Sequence, residues 1–530
     1  MKKENLCKSG KFVISDPVYC YIYSVAIIIF LYISFRNYAE MMYEHLMIIP
    51  CSLFLCAILE RKGYLGCKKY LLLACLMVAW FLLLQLKRSI QKDTLSNVGV
   101  FLSTYLFAFP LASLLKDGDE KKALRVFAGA YLAAAAVLAV TGLLLILDCL
   151  PAFLSKYVYW TGARLEVFWH PNVAACLFLI GIVFCVTFLS QAKSLWSKLI
   201  LCILLTLIIG ALALTNCRTA LILTGGYIGA LAFFALIKHG KKWFLPGLLA
   251  VIILTVGFYA GAGRLYQLNQ DRLIAKYARQ YSEQLAPEYA NSSVNADLEN
   301  ADIISAEGNT AGPESDGTMT TDVNTEGNIH KEESAENYAK ADAADTETAE
   351  IPVTVNPETG EIVLETDSPQ GSLATDFGTL NNRTHIWRAS LYALSESRSV
   401  LLWGTENPGD FVSEYFTASV VHTHNAWMEC LVGMGFVGFL IAMIFTLITL
   451  WNILIILIKH HQDLWKRNIA LLTMCIMVAS LLEPYIFYTT IYYHPIDFLF
   501  FLCAGYLVHW QESDNLSFAD KLRARFLVKK

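Results

Sequence analysis

The sequence predicts an all-α, polytopic membrane protein with about 12 transmembrane helices and one long outer loop. Three observations carry this expectation: the composition, the length of the apolar runs and the placement of lysine and arginine. Of 530 residues, 56% are hydrophobic and only 16% charged, and the mean hydropathy is +0.48. Soluble domains hold roughly 25% charged residues. The apolar excess falls in runs of about 20 residues, which at 1.5 Å per residue cross a hydrocarbon layer of about 30 Å. Inside such a layer every backbone polar group must be paired within the protein, so these runs form helices. A single run could be a buried core helix, but their repetition along one chain excludes that. The pattern of a membrane β-barrel is absent.

Taken in order, the runs cover 17–35, 41–59, 69–86, 97–115, 124–147, 172–190, 197–215, 219–237, 243–262, 427–458, 467–486 and 491–510. The first is too long and continuous for a cleavable leader. The tenth is long enough to tilt or to extend past the membrane. Gly225 and Gly229 form a GxxxG, the spacing of close helix packing. The cysteines lie mostly inside apolar runs without CxxC pairs and behave as small hydrophobes. The inner loops and tails collect most of the 41 lysines and arginines, which places both termini in the cytoplasm. The loop with Lys87, Arg88 and Lys92 is the one clear exception, because it falls outside. The chain therefore divides into nine helices over 1–262, an outer loop over 263–426, three helices over 427–510 and a basic cytoplasmic tail over 511–530.

The outer loop has three parts. Residues 264–285 have helical spacing of Leu, Ile and Tyr, as in an amphipathic helix lying on the membrane. Residues 286–376 are acidic and poor in large apolar groups, so burial cannot offset the chain entropy and disorder is expected. From 378 the composition returns to normal, and Ile386, Trp387, Leu391 and Leu394 mark a second amphipathic helix.

Ionisable groups at the membrane edge are costly and therefore point to function. Four groups fall on the same outer side. Arg164 precedes His170, Pro171 and Asn172 at the start of the sixth run. Arg218 sits in a tight connection between two apolar runs. Arg383 and Arg388 share one amphipathic helix. His422, His424 and Asn425 open the tenth run. Glu483, beside Pro484, is a carboxylate in an apolar setting that can cap a broken helix, relay protons or pair with one of the arginines. Each has an ordinary structural reading: a loop arginine, a wet helix face, an interfacial histidine. Their shared sidedness favours one cavity instead. Guanidinium forks hold phosphate oxygens bidentately, and an imidazole suits proton abstraction from a hydroxyl. The sequence holds no phosphate loop, HExxH or nucleophile elbow.

At these same positions the chain resembles the O-antigen ligase family, whose relatives include O-antigen polymerases and bacterial protein O-oligosaccharyltransferases. The pieces are Arg164 with Pro171-Asn172, then Cys217-Arg218-Thr219-Ala220, where the family often has Ser-Arg-Thr. Arg383 and Trp387 follow, with Leu401 and Gly404, and last come His424-Asn425, Leu431, Gly433, Gly435 and Gly438. The acidic stretch at 286–376 departs from the family's compact outer loop. The resemblance implies a glycosyltransferase of the bacterial cytoplasmic membrane that needs no metal and no cofactor. It would move a glycan from an undecaprenyl-diphosphate carrier to the hydroxyl of an acceptor lipid, wall polymer or glycan. It also implies that His424 and Arg218 are catalytic, that Arg164 and Arg383 hold the diphosphate and that Asn425 fixes the local geometry; Arg388 as a further diphosphate ligand, and Asn172, His422 and Glu483 in support, join them as polar groups on the same side. No nucleic-acid partner is expected. Two other readings use the same residues: a polymerase of lipid-linked repeat units, and a flippase of lipid-linked sugar, which would need a central rather than a one-sided site. A membrane scaffold acting through the acidic loop leaves the cluster unexplained.

Overall fold

The computed structural model describes residues 17–36, 68–87, 108, 119–161, 164–303, 353–355, 362–364, 383–416, 420–487 and 493–514. The expected spans at 41–59 and 97–115, the acidic stretch beyond 303 apart from two short strands, and the tail beyond 514 lie outside them. In chain order the described elements are α1 (Pro17–Ser34), α2 (Lys68–Lys87), α3 (Asp119–Ile146), α4 (Ala152–Ser155), β1 (Val158–Thr161), β2 (Arg164–Val167), α5 (Pro171–Gln191), α6 (Leu195–Leu214), α7 (Arg218–Ile237), α8 (Phe244–Ile303), β3 (Val353–Val355), β4 (Ile362–Leu364), α9 (Arg383–Glu396), α10 (Arg398–Trp403), α11 (Pro408–Ser413), α12 (Ala426–Lys459), α13 (Leu464–Ala479) and α14 (His494–Asp514).

Six helices among the described residues are long and apolar enough to cross a membrane: Lys122–Ile146, Pro171–Leu189, Leu195–Leu214, Arg218–Ile237, Phe244–Lys276 and Ala426–Lys459. Shorter apolar helices run over Tyr19–Ser34, Cys75–Lys87 and His494–Val508. The chain is thus a mostly helical, multi-pass membrane protein. It departs from an all-α chain in two antiparallel hairpins, β1–β2 and β3–β4. By contacts the chain forms two units, residues 1–266 with 371–530, and residues 267–370. The second holds the outer part of α8 and the β3–β4 hairpin.

At the centre of the first unit is α5, buried on all sides from Val173 to Cys185 and packed against α3, α6, α7 and α13. A helix that is apolar all round belongs in a core or a membrane. Its start is set by Pro171 at the first turn and by His170, whose Nδ1 accepts from the Asn172 N–H at 3.4 Å. A buried hydrogen bond from Asn468 Nδ2 to Thr187 Oγ1 at 2.8 Å joins it to α13, a polar link suited to an apolar surround. By contrast α8 exposes Leu245, Leu248, Leu249, Ile252, Ile253 and Val256. Soluble proteins rarely expose such a stripe, but a bilayer covers it. Gly225 and Gly229 of α7 meet this helix backbone to backbone: a Cβ on them would lie 2.8 Å from Thr255 Cα and 2.7 Å from Val251 Cα. That is the close approach a GxxxG permits.

Three expected boundaries differ. The segment read as a span at 243–262 followed by a separate surface helix is a single helix, continuous in backbone to Ile303. The run at 467–486 is helical only to Ala479, so Glu483 lies in the turn beyond α13 rather than within a span. The long tenth run is broken: Gly435 has φ 68°, ψ −176°, a conformation open essentially to glycine. Residues 436–459, about 36 Å at 1.5 Å per residue, are long enough to cross a membrane without the short helical segment 426–434 that precedes the break.

Candidate active site

Glu483 is where the separately placed polar groups meet. Serine 480 closes α13, and its carbonyl accepts the Ala426 N–H at 2.9 Å, so the turn carrying Glu483 abuts the start of α12. The buried carboxylate accepts from Arg383 Nη2 at 2.6 Å and from Asn172 Nδ2 at 2.8 Å, both at Oε1. The β1–β2 hairpin brings Arg164 beside α5, where its Nη2 donates to Asn172 Oδ1 at 2.9 Å and its Nε to the Thr215 carbonyl at 3.0 Å. Arg164, Asn172, Glu483 and Arg383 thus form a continuous chain drawn from four parts of the sequence.

His424 completes it. Its Nδ1 is buried and faces Glu483 Oε2 at 3.4 Å, an ion-pair approach that falls short of hydrogen-bond alignment. The side chain is 31% exposed, which leaves Nε2 as the outward nitrogen. His424 adopts φ 52°, and Asn425 next to it caps α12 by accepting from the Trp427 and Met428 N–H groups, both at 3.0 Å. Asn425 Nδ2 donates to the Leu481 carbonyl at 3.0 Å, tying the cap to the Glu483 turn. From the other side, Trp387 of α9 donates to the Thr423 carbonyl at 2.9 Å, while Thr423 donates twice to Glu429 Oε2 at 2.7 and 2.8 Å. Phe168, Asn216 and Phe487, which lie close in sequence to His170, Arg218 and Glu483, also have positive φ. Each such residue costs of order 1 kcal/mol, and clusters of them are typical of functional sites.

The surroundings set the charges. Burial alone would raise the Glu483 carboxyl, but His424, His422 and Arg383 outweigh it and hold the group below the usual carboxylate range. His422 is pushed down to about 4, first by burial and then by the neighbouring His424, with Glu483 opposing. Burial also lowers His170, against the pull of Glu483.

His422, His424 and Glu483 have ligand atoms within 4.8 Å of one another, close enough to hold a metal ion. The donor set fits one poorly. His422 Nδ1 accepts the His424 N–H at 3.3 Å and its Nε2 pairs with Tyr493 Oη at 3.1 Å, while Glu483 Oε1 is occupied by Arg383 and Asn172.

Of the residues expected from sequence, Arg164, Asn172, Arg383, His422, His424, Asn425 and Glu483 are in or adjoining this network. Arg218, half-buried, opens α7 one residue after Cys217, near Tyr266 and Asn216. Arg388 is exposed on α9, and no described contact joins it to Glu483. The sequence reading missed Tyr493, Thr215, Glu429 and Tyr485, whose hydroxyl donates to the Asn172 carbonyl at 2.8 Å. The tyrosine run at 485–493 was the visible signal for the two tyrosines and gave none for Thr215 or Glu429.

A bundle of membrane helices carrying guanidinium groups and an imidazole around one buried carboxylate defines a multi-pass membrane protein with the equipment for phosphate binding and proton transfer. The O-antigen ligase family model matches residues 203–443, from α6 into α12, so this segment is similar to that family's domain. The match contains Arg218, Arg383, His424 and Asn425, whereas Arg164, Asn172 and Glu483 lie outside it. Members of the family are glycosyltransferase-like enzymes acting on lipid-linked glycans in a membrane. No curated protein and no solved structure matches the chain.

Proposed function

We propose that this protein transfers a glycan from an undecaprenyl-diphosphate carrier to an acceptor hydroxyl at the outer face of the bacterial cytoplasmic membrane, without a metal ion. The observation that carries this reading is the pairing of His424 Nδ1 with Glu483 Oε2 at 3.4 Å, beside the Arg383–Glu483 contact. The carboxylate fixes the ring so that Nε2 faces the acceptor. The hydroxyl gives its proton to Nε2 as its oxygen attacks the anomeric carbon. The bond from that carbon to the diphosphate oxygen breaks, and its electron pair leaves with the diphosphate. Arg383, Arg164 and Arg218 neutralise the growing charge, with Arg388 available to outer phosphate oxygens. Glu483 engages only Nη2 of Arg383, so the rest of that fork serves the phosphates. The imidazolium then releases its proton to solvent.

The test is to size lipid-linked glycans from cells lacking the protein and from cells carrying His424→Ala. Both strains should accumulate the same species: long chains on the carrier if the enzyme is a ligase, single repeat units if it is a polymerase. An unchanged lipid-linked pool in the deletion strain refutes glycan transfer, and wild-type turnover by His424→Ala removes the histidine from the mechanism.

A further inference from the structure

Apart from the Glu483 network, the described residues hold a cavity of about 310 Å³ lined by Lys87, Trp403, Gly404, Thr405 and Glu406. Its walls are built rather than incidental. Trp403 stacks on Trp80 with ring centroids 5.5 Å apart at 12°, and Lys87 Nζ lies 4.4 Å over the Trp403 ring. Trp80 Nε1 donates to the Met434 carbonyl at 2.8 Å, which the break at Gly435 exposes, so the aromatic pair is fixed to α12. Gly404 and Gly435, both at positive φ, let α10 and α12 touch backbone to backbone, and the Thr405 N–H donates to the Val432 carbonyl at 2.8 Å. Val432 is seven residues along α12 from Asn425, about 10 Å at 1.5 Å per residue. The cavity therefore lies about two helical turns from His424, a separation that a chain of sugars bridges.

Its lining selects the ligand. A lone anion meets the Glu406 carboxylate and a lone cation meets the Lys87 ammonium. A neutral polyhydroxylated ring accepts from the ammonium, donates to the carboxylate and exchanges hydrogen bonds with the Thr405 hydroxyl, while Trp403, covered by Trp80 on one face and by Lys87 on the other, offers only its edge.

We propose that this cavity is a saccharide subsite that holds a sugar unit remote from the bond being made, on the donor or the acceptor glycan. It rests on the glycan-transfer reading but is tested separately from it. The probe is the oligosaccharide released by mild acid from the organism's own lipid-linked pool. Its binding to the full-length protein in nanodiscs is followed by saturation-transfer NMR. Wild type and His424→Ala should bind it alike, whereas Lys87→Ala and Glu406→Gln, both on the rim, should each weaken binding about tenfold. Steady-state transfer then names the source: KM rises for the lipid-linked donor if the sugar is the donor's, and for the acceptor if it is the acceptor's, with kcat retained. Wild-type affinity and KM in both rim variants overturn the subsite even if transfer is robust. Binding that the rim variants weaken, in a wild type that transfers nothing, upholds the subsite and refutes the reaction.

Discussion

Glu483→Gln removes one negative charge while keeping the shape of the side chain, and it separates orientation from clamping. In the native site Oε1 takes Arg383 at 2.6 Å and Asn172 at 2.8 Å, while Oε2 faces His424 Nδ1 at 3.4 Å. Two unit charges 3.4 Å apart attract by about 5 kcal/mol at an effective dielectric constant of about 20. Arg383 already draws on the same carboxylate and the imidazole is 31% exposed, so about half of that, 2–3 kcal/mol, is available to stabilise the imidazolium formed in the reaction. Glutamine should therefore lower kcat about 30- to 150-fold. The donor KM should change little, because Arg383 keeps a carbonyl partner and its phosphate-facing donors. Stability should fall by about 1–3 kcal/mol as charge-assisted hydrogen bonds become neutral ones.

The assay is transfer by reconstituted protein, with kcat and KM measured separately and insertion checked by thermal unfolding. A double-mutant cycle supplies the decisive comparison. If Glu483 acts through His424, adding Glu483→Gln to His424→Ala costs almost nothing further in rate. Glu483→Gln activity within threefold of wild type, or an equal loss with and without His424, would refute the orienting role.

Four further outcomes follow from the same geometry. Arg218→Lys and Arg164→Lys keep the charge but lose the fork, and each should lower kcat/KM for the donor at least tenfold in steady-state assays; full activity would show that point charge suffices. Gly435→Ala must force φ 68° on an alanine and drive its methyl into the Leu402 carbonyl, so unfolding should shift by about 3 kcal/mol, whereas Gly263→Ala, with open space around it, should be neutral or stabilising. His422 binds a proton near 6.5 when unfolded and only at about 4 when folded. Between those values the unfolded state therefore holds more protons, so His422 should lower thermal stability by about 1–2 kcal/mol from pH 6.5 to 5, and His422→Gln should reduce the fall by that amount, leaving the part due to His170. The Glu483 contribution, whose folded value is depressed, is lost only below about 4.5 and does not overlap that window. A divalent-metal chelator should leave the transfer rate unchanged, and restoration by one added metal after a loss would make the His422–His424–Glu483 group a metal centre.

Length and hydropathy made the helices legible: α5, α6, α7 and α12 each begin and end within about two residues of the apolar runs. The amphipathic α9 was readable in part: Ile386 and Leu394 are buried as expected, but Leu391 is exposed, and the small Ser390 and Ala393 complete the buried face opposite the wet Arg388. The break at Gly435 was not, because glycine is common in membrane helices and nothing local separates Gly433, Gly435 and Gly438. Only the approach of α10 singles out the middle one. The tyrosines were hidden for a similar reason: aromatic residues at a membrane edge ordinarily anchor it, and Tyr493 differs only in meeting His422.

The pairing of charges illustrates why such a site escapes a linear reading. Glu483 is 100 residues from Arg383 and 311 from Asn172, and several arginines were equally plausible partners. What selects Arg383 is the end of α13 at Ala479, which turns Glu483 out of the helix and against the start of α12. Had the helix continued to 486, the carboxylate would lie on its side, away from the Asn425 cap that now fastens the turn through Leu481. One buried anion then fixes a cation, an amide and an imidazole at once. Leaving any of these partners unpaired in a poorly hydrated setting costs several kcal/mol. Helix termination, rather than any single motif, therefore organises the site.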